Sequence, residues 1–269
     1  RLQLKRLEER AIPRDLALVQ ELLRLSAKVG SAEDAASAAA ELRAGEALEM
    51  LAQIMPDLQD LQGNVTESRA RAEIFYQFAT FAQSVPNEEA MVALYEETLR
   101  AQPGHVLVNN DYGYWLADRN QALARAEGMI EIALLAEPQN ASFLDSLGWV
   151  RYKLNIIEDQ ELPDGSVKRG AISLLTEAVE LEDDSGRALL LEHLADAQWS
   201  AGRKVEATRS WIQASVLAQQ YLRVIGTQAP QFKKLLEEVR ERSEAKSNAA
   251  GAGQEPELPP KGELFAVPT

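Results

Sequence analysis

The chain has 269 residues and carries 28 Lys and Arg against 42 Asp and Glu, a formal net charge of −14 with neutral histidines. That balance excludes general attraction to nucleic acid or to an anionic membrane surface and favours neutral to basic partners. Cysteine is absent, so disulfides, thiolate metal sites and a cysteine nucleophile are excluded; aromatics are only 6% beside abundant Ala, Leu and Glu, which suits stacked helices and predicts no sheet.

Residues 1–12 are highly charged, and Arg1 stands where an initiator methionine would, with Leu2, Leu4 and Leu7 already on one helical face. This predicts a fragment or processed product, with no signal peptide and nowhere the ~18 consecutive apolar residues of a membrane span. Pro13 and Asp15 open an amphipathic helix through Leu16, Val19, Leu22, Leu23 and Leu25 to Gly30. Ser31, followed by Asp34, starts an alanine-rich helix to about Arg43, and Gly45 separates it from a helix with Leu48, Leu51 and Ile54 that Pro56 limits. Residues 1–71 thus read as N-terminal helices, with a degenerate repeat as one reading. A longer helix from Asn64 to Gln83 leads into a periodic region.

From Ala72 one pattern recurs at a period of about 34 residues, with copies at 72–105, 106–140, 141–187 and 188–226. In each, an apolar helix A is followed by a turn and a helix B whose inner face carries small residues. The first copy has Phe75, Phe78 and Ala79 in helix A, then Met91, Tyr95 and Thr98 in helix B. Tyr112, Gly113, Ala126, Ile130, Ala133 and Pro138 mark the second. Leu144, Leu147 and Gly148 mark the third, which loses register over an insertion at 156–170 and resumes with Ala171, Leu175 and Ala178. The fourth runs without a gap through Leu191, Leu194, Ala195, Ala207, Trp211 and Ala214. Small residues at these places let the two helices of a pair cross closely, while the large ones fill the space between pairs. Gly113 and Gly148 fall mid-helix, where glycine costs about 1 kcal/mol against alanine, so packing must offset that cost. Pro103 and Pro138 end their helices.

Helix B of the fourth copy reads on through Gln219, Tyr221, Leu222 and Val224 to Gly226. Pro230 then opens a last helix with Phe232, Leu235, Leu236 and Val239, and the segment 227–245 is expected to cap the array with its polar outer face. Residues 246–269, which include Pro256-Glu257-Leu258-Pro259-Pro260, hold too little apolar material to fold alone and read as a flexible tail.

The recurrence over roughly residues 72–221 resembles the tetratricopeptide repeat family, and the resemblance implies an all-α, right-handed superhelical solenoid of antiparallel helix pairs. Three stretches, Asn109-Asn110-Asp111-Tyr112-Gly113-Tyr114-Trp115-Leu116-Ala117-Asp118, Leu144-Asp145-Ser146-Leu147-Gly148-Trp149-Val150-Arg151-Tyr152 and His193-Leu194-Ala195-Asp196-Ala197-Gln198-Trp199-Ser200-Ala201-Gly202-Arg203, are similar to consecutive repeats of bacterial cell-envelope scaffolds, several of them lipoproteins. Some of that group present substrates to envelope proteases, which favours a periplasmic over a cytoplasmic setting. The insertion and the missing lipid-bearing amino terminus depart from the group.

In this architecture the helix A faces line a concave groove. Its candidate partner-binding residues are Tyr76 and Gln83, with Glu73 and Thr80, in the first copy. The second copy offers Asn110, Tyr114 and Asp118 with Leu107, and the third Asp145, Trp149 and Tyr152 with Ser142. Glu192, Asp196 and Trp199 with Leu189 complete the row. Read so, the groove is acidic with aromatics between, suited to an extended peptide or helical partner that is neutral to basic. A clamp for a terminal carboxylate is excluded, because Asp145, Glu192 and Asp196 would repel it. The competing reading is that Trp149, Tyr152 and Trp199 only pack between repeats.

No constellation for catalysis emerges, and neither cofactor nor metal is expected. His193 and Asp196 share a helical face, which would suit a metal, but a solvated face is the better reading. Asp164-Gly165 fails the ligand spacing of a calcium loop and reads as a turn, with a weak cation site as the alternative. Gly251-Ala252-Gly253 lies outside any strand-to-helix context and reads as tail, while Asn64-Val65-Thr66 and Asn140-Ala141-Ser142 match a glycosylation sequon that arises often by chance. The function expected is a non-enzymatic protein-binding scaffold or adaptor. The alternatives are a self-assembling solenoid and the regulatory arm of a larger enzyme.

Overall fold

The computed structural model describes residues 65–84, 88–182, 186–225 and 230–262. The helices expected between residues 1 and 63 lie outside the described residues. The chain divides between Val108 and Asn109 into two compact units, each taken by itself.

In the first unit α1 (Val65–Ser84) pairs with α2 (Glu88–Ala101). Ala72, Phe75, Phe78, Ala79 and Ala82 are buried along one side, and Met91, Leu94, Tyr95 and Thr98 along the other. Glu88 and Glu89 open α2 and Arg100 closes it, charges that complement the helix dipole at both ends. After Pro103 the chain turns, and His105 Nδ1 accepts the Val108 N–H at 3.3 Å, satisfying a donor in the first turn of α3 (Val106–Asp118).

The second unit is built almost wholly of α-helices. Beyond α3 it contains α4 (Leu123–Ala136), α5 (Ala141–Lys153), α6 (Ala171–Leu181), α7 (Arg187–Ser200), α8 (Lys204–Val224) and α9 (Pro230–Gly251). Helices α5 and α6 form one pair and α7 and α8 the next; α4 packs on α5, α6 on α7, and α9 lies along α8 and touches α7. A Cβ built on Gly113 would stand 2.7 Å from Ile130 Cγ1, and one on Gly148 would stand 2.6 Å from Leu175 Cγ. Even a methyl group at either place would force Ile130 or Leu175 to shift. Ala126, Ala133, Ala171, Ala178, Ala195, Ala207 and Ala214 are fully buried at the other crossings, and Trp211 packs with Ala195, Trp199 and Ala207. Asn140 is a helix cap whose side chain accepts from the N–H groups of Ser142 and Phe143, a local reason for its place before α5.

The expectation of no sheet needs correcting. Within the insertion, β1 (Gln160–Glu161) pairs antiparallel with β2 (Val167–Lys168). Between them Gly165 takes φ +81°, and Asp164 Oδ1 accepts from the Ser166 N–H at 3.0 Å, so the local turn closes the ladder. Asp159 accepts from the Gly170 N–H at 2.7 Å and from Ser173 Oγ at 2.6 Å, fixing the start of α6. Arg151 ties the insertion inward by bonding Glu127, Glu131 and the Arg169 carbonyl.

The flexible tail expected from residue 246 is corrected as well. Helix α9 continues to Gly251, with Ser243 and Lys246 buried. Gly253, at φ +72°, then closes it, its N–H bonding the Ala250 carbonyl while the Gln254 N–H bonds that of Ala249. Gly251-Ala252-Gly253 is therefore a helix terminus that reverses the chain. Residues 252–262 return across the second unit.

Candidate functional site

The row of first helices α3, α5 and α7 carries the expected groove residues of the second unit, and their environments differ sharply. On α3, Asp118 is exposed and Tyr114 half-buried, while Asn110 is buried with Nδ2 donating to Asp111 Oδ1 at 3.1 Å and Oδ1 unpartnered. On α5, Trp149 is stacked between Tyr152, at 5.0 Å between ring centroids, and His193 of α7, at 4.2 Å. Its buried indole N–H has no partner. In the first unit Tyr76 is buried with its ring 5.0 Å from His105, and Gln83 lies in α1.

The expected acidic character needs correcting at Asp145, Glu192 and Asp196, whose carboxylates are engaged within the fold. Asp145, 5% exposed, bonds His193 Nδ1 at 2.9 Å. Glu192 accepts from Arg242 Nε at 2.9 Å and from Lys246 Nζ at 3.0 Å. Asp196, 0% exposed, accepts from Lys246 Nζ at 2.8 Å and from Trp211 Nε1 at 2.9 Å. Arg242 and Lys246 both come from α9, so this helix neutralises the inner face as well as covering it. His193, read as part of a solvated face, is buried. Among the described residues no group of three His, Asp or Glu side chains could hold a metal ion.

Electrostatics follow these pairs. Burial opposes ionisation of Glu192, yet the Arg242 hydrogen bond and the Lys246 charge outweigh it and hold the carboxyl below its ordinary value. For Asp196 burial prevails over Lys246, and its pKa is raised. Burial would lower the His193 pKa, but Asp145, with Glu192 and Asp196 behind it, raises it on balance. Burial, then Asp145 and Asp118, pushes the Tyr114 phenol up, and burial with Asp196 raises Tyr152 to about 12. Neither phenol ionises near neutrality.

What lies along this face is the chain's own C-terminal segment. Glu255 accepts from Trp199 Nε1 at 2.9 Å and from Lys204 Nζ at 2.6 Å. Leu258 packs against the cluster of Ala195, Trp199, Ala207 and Trp211. The Pro259 carbonyl accepts from Tyr152 Oη at 3.0 Å, and that of Pro260 from Lys153 Nζ at 3.0 Å and Asn120 Nδ2 at 3.4 Å. Finally the Gly262 N–H bonds the Lys153 carbonyl at 2.9 Å, and Lys261 Nζ bonds Asn155. Burial lowers the pKa of Lys153, against the pull of Asp118 and Asp196.

Of the expected residues, the structure therefore brings Tyr152 and Trp199 onto a bound strand, stacks Trp149 beside Tyr152, and removes Asp145, Glu192 and Asp196 from the surface. Asn120, Lys153 and Lys204 escaped the sequence reading. Lys153 occupies the thirteenth place of its repeat, next to Tyr152 at the twelfth, so the template itself could have found it. Asn120 and Lys204 lie in or beside turns, where the repeat pattern has no voice.

No protein-family model matches the chain, and no curated protein matches it. Solved structures similar to it include MamA protein, with 14% identity and a TM-score of 0.43 over 73% of this chain and 98% of that one. Another is pilF of Pseudomonas aeruginosa, with 14% identity and a TM-score of 0.47 over 87% of this chain and 91% of that one. Likeness at these values assigns no function.

Proposed function

We propose that the chain is a protein-interaction scaffold whose first-helix row receives an extended peptide segment of a partner. One observation carries this reading: residues 252–262 already lie there, held by side chains from α5, α7 and α8 and from the turn after α3. The partner is neutral to acidic along this strip, not basic, because the strip offers the donors Lys153, Lys204 and Trp199, which residues 255–260 occupy, while Asp145, Glu192 and Asp196 are engaged inward. The bacterial cell envelope is the compartment we favour, on the resemblance of its three repeat stretches; among the described residues no helix is long and apolar enough to cross a membrane.

The test uses a chain ending at Gln254, which keeps the hydrogen bonds that close α9, titrated with a panel of short synthetic peptides: acidic and proline-rich, basic, or apolar. Binding is read from tryptophan emission. Saturable binding of one class that Tyr152→Ala and Lys204→Ala weaken is the expected result. A folded chain that saturates with no peptide would remove the reading.

A further inference from the structure

The groups that hold residues 255–260 are almost all hydrogen-bond donors. Trp199 Nε1 and Lys204 Nζ meet a carboxylate; Tyr152 Oη, Lys153 Nζ and Asn120 Nδ2 meet two successive carbonyls. Among the described residues the main-chain acceptor that the segment meets is the Lys153 carbonyl, reached at Gly262. An ordinary strand laid on such a surface would turn some N–H groups toward donors and leave them unsatisfied. Proline has no N–H, and it stands at 256, 259 and 260, with Pro256 buried. The strip therefore selects for proline between a carboxylate and a pair of accepting carbonyls. Reach agrees with this. The five residue steps from 255 to 260 in polyproline geometry span about 16 Å, and two steps between neighbouring helices, from α7 to the end of α3, take ~16–20 Å.

The hold on this segment is light. Its charged anchor, Glu255 with Lys204, is open to water on both sides, at 72% and 55% exposure. Pairs so exposed contribute little. The segment follows a glycine-bounded helix end, Gly251 to Gly253, where the chain can swing without disturbing α9.

Resting on the function proposed above, we infer that residues 252–262 are a tethered stand-in for the partner, which displaces them. The partner's segment is extended and proline-rich, with a carboxylate side chain four residues ahead of two adjacent prolines, and it belongs to another protein.

The probe is a fluorescein-labelled synthetic peptide of residues 254–262, added to the full chain and to full chains carrying Glu255→Lys with Leu258→Asp, or the milder Glu255→Gln. Anisotropy should report binding about tenfold or more tighter to the double variant than to the unaltered chain, because a seat occupied nine-tenths of the time hides that much affinity. Adding Lys204→Met to the double variant, or placing Glu255→Lys in the peptide, should undo the gain. Equal affinity for all three proteins overturns the inference, since the segment would then not compete. Light scattering that shows the segment exchanged between two copies overturns the choice of a separate partner. Should this peptide fail while another of the panel binds the chain ending at Gln254, the inference falls and the scaffold reading stands; should none bind, both fall.

Discussion

Lys246 holds two buried carboxylates at once, Glu192 at 3.0 Å and Asp196 at 2.8 Å, and no other cation reaches Asp196 by hydrogen bond among the described residues. Lys246→Met keeps the bulk of the side chain but strands Asp196 as a buried charge, which should cost about 3–5 kcal/mol in chemical denaturation. A loss within the error of the measurement would mean that water reaches the pair. His193 gives a second test, through pH. It faces Asp145, Glu192 and Asp196, with the Trp149 ring against it, and its folded pKa lies above the ordinary 6.5. The folded state thus binds the proton more tightly than the unfolded one. Its stabilising contribution is whole below pH 6.5 and drains away as pH rises through the folded value. The stability difference between the unaltered chain and His193→Gln should accordingly shrink on raising pH from about 6 to about 9. A difference that grows over that range would reverse the assignment of the charge.

At the scale of elements, two glycines set the pairing. Gly148→Ala gains about 1 kcal/mol of helix propensity but drives a methyl to 2.6 Å from Leu175 Cγ. Overpacking of that kind costs about 1–3 kcal/mol, so thermal unfolding should move down, and Leu175→Ala in the same chain should recover part of the loss. Additive effects of the two changes would show that these side chains do not meet. These crossings were legible in the sequence because a period near 34 residues puts Gly113, Gly148 and Ala195 in phase, and phase is what helix packing records. The ladder of the insertion was not legible. Gln160-Glu161 and Val167-Lys168 are too short for an alternating pattern, and the Asp164 and Asp159 side chains that hold the segment act through main-chain N–H groups that composition does not reveal.

For the second unit as a whole, the repeat register singled out Tyr152 and Trp199, which meet the C-terminal segment, but not the charges around them. Arg242 and Lys246 come from α9, outside the repeats, so phase alone could not foretell that Glu192 and Asp196 would be neutralised. The same gap hid the return of residues 252–262, whose few apolar groups find their cover on Trp199 and Tyr152 and not on one another. Ending the chain at Gln254 uncovers both rings. Tryptophan emission should then shift to longer wavelength and stability fall by about 1–3 kcal/mol, with helicity retained, since several hydrogen bonds and one exposed ion pair are lost. Unchanged emission would show that the segment is not seated. The continuity of α9 through Gly251 has one more consequence. A strand joined by so short a leash confronts its seat at an effective concentration on the order of millimolar, whatever the protein's dilution. A free peptide pays about tenfold in affinity against that rival, a handicap that a ligand gripping the scaffold at a second place as well would escape, so that its bivalence would act as the switch.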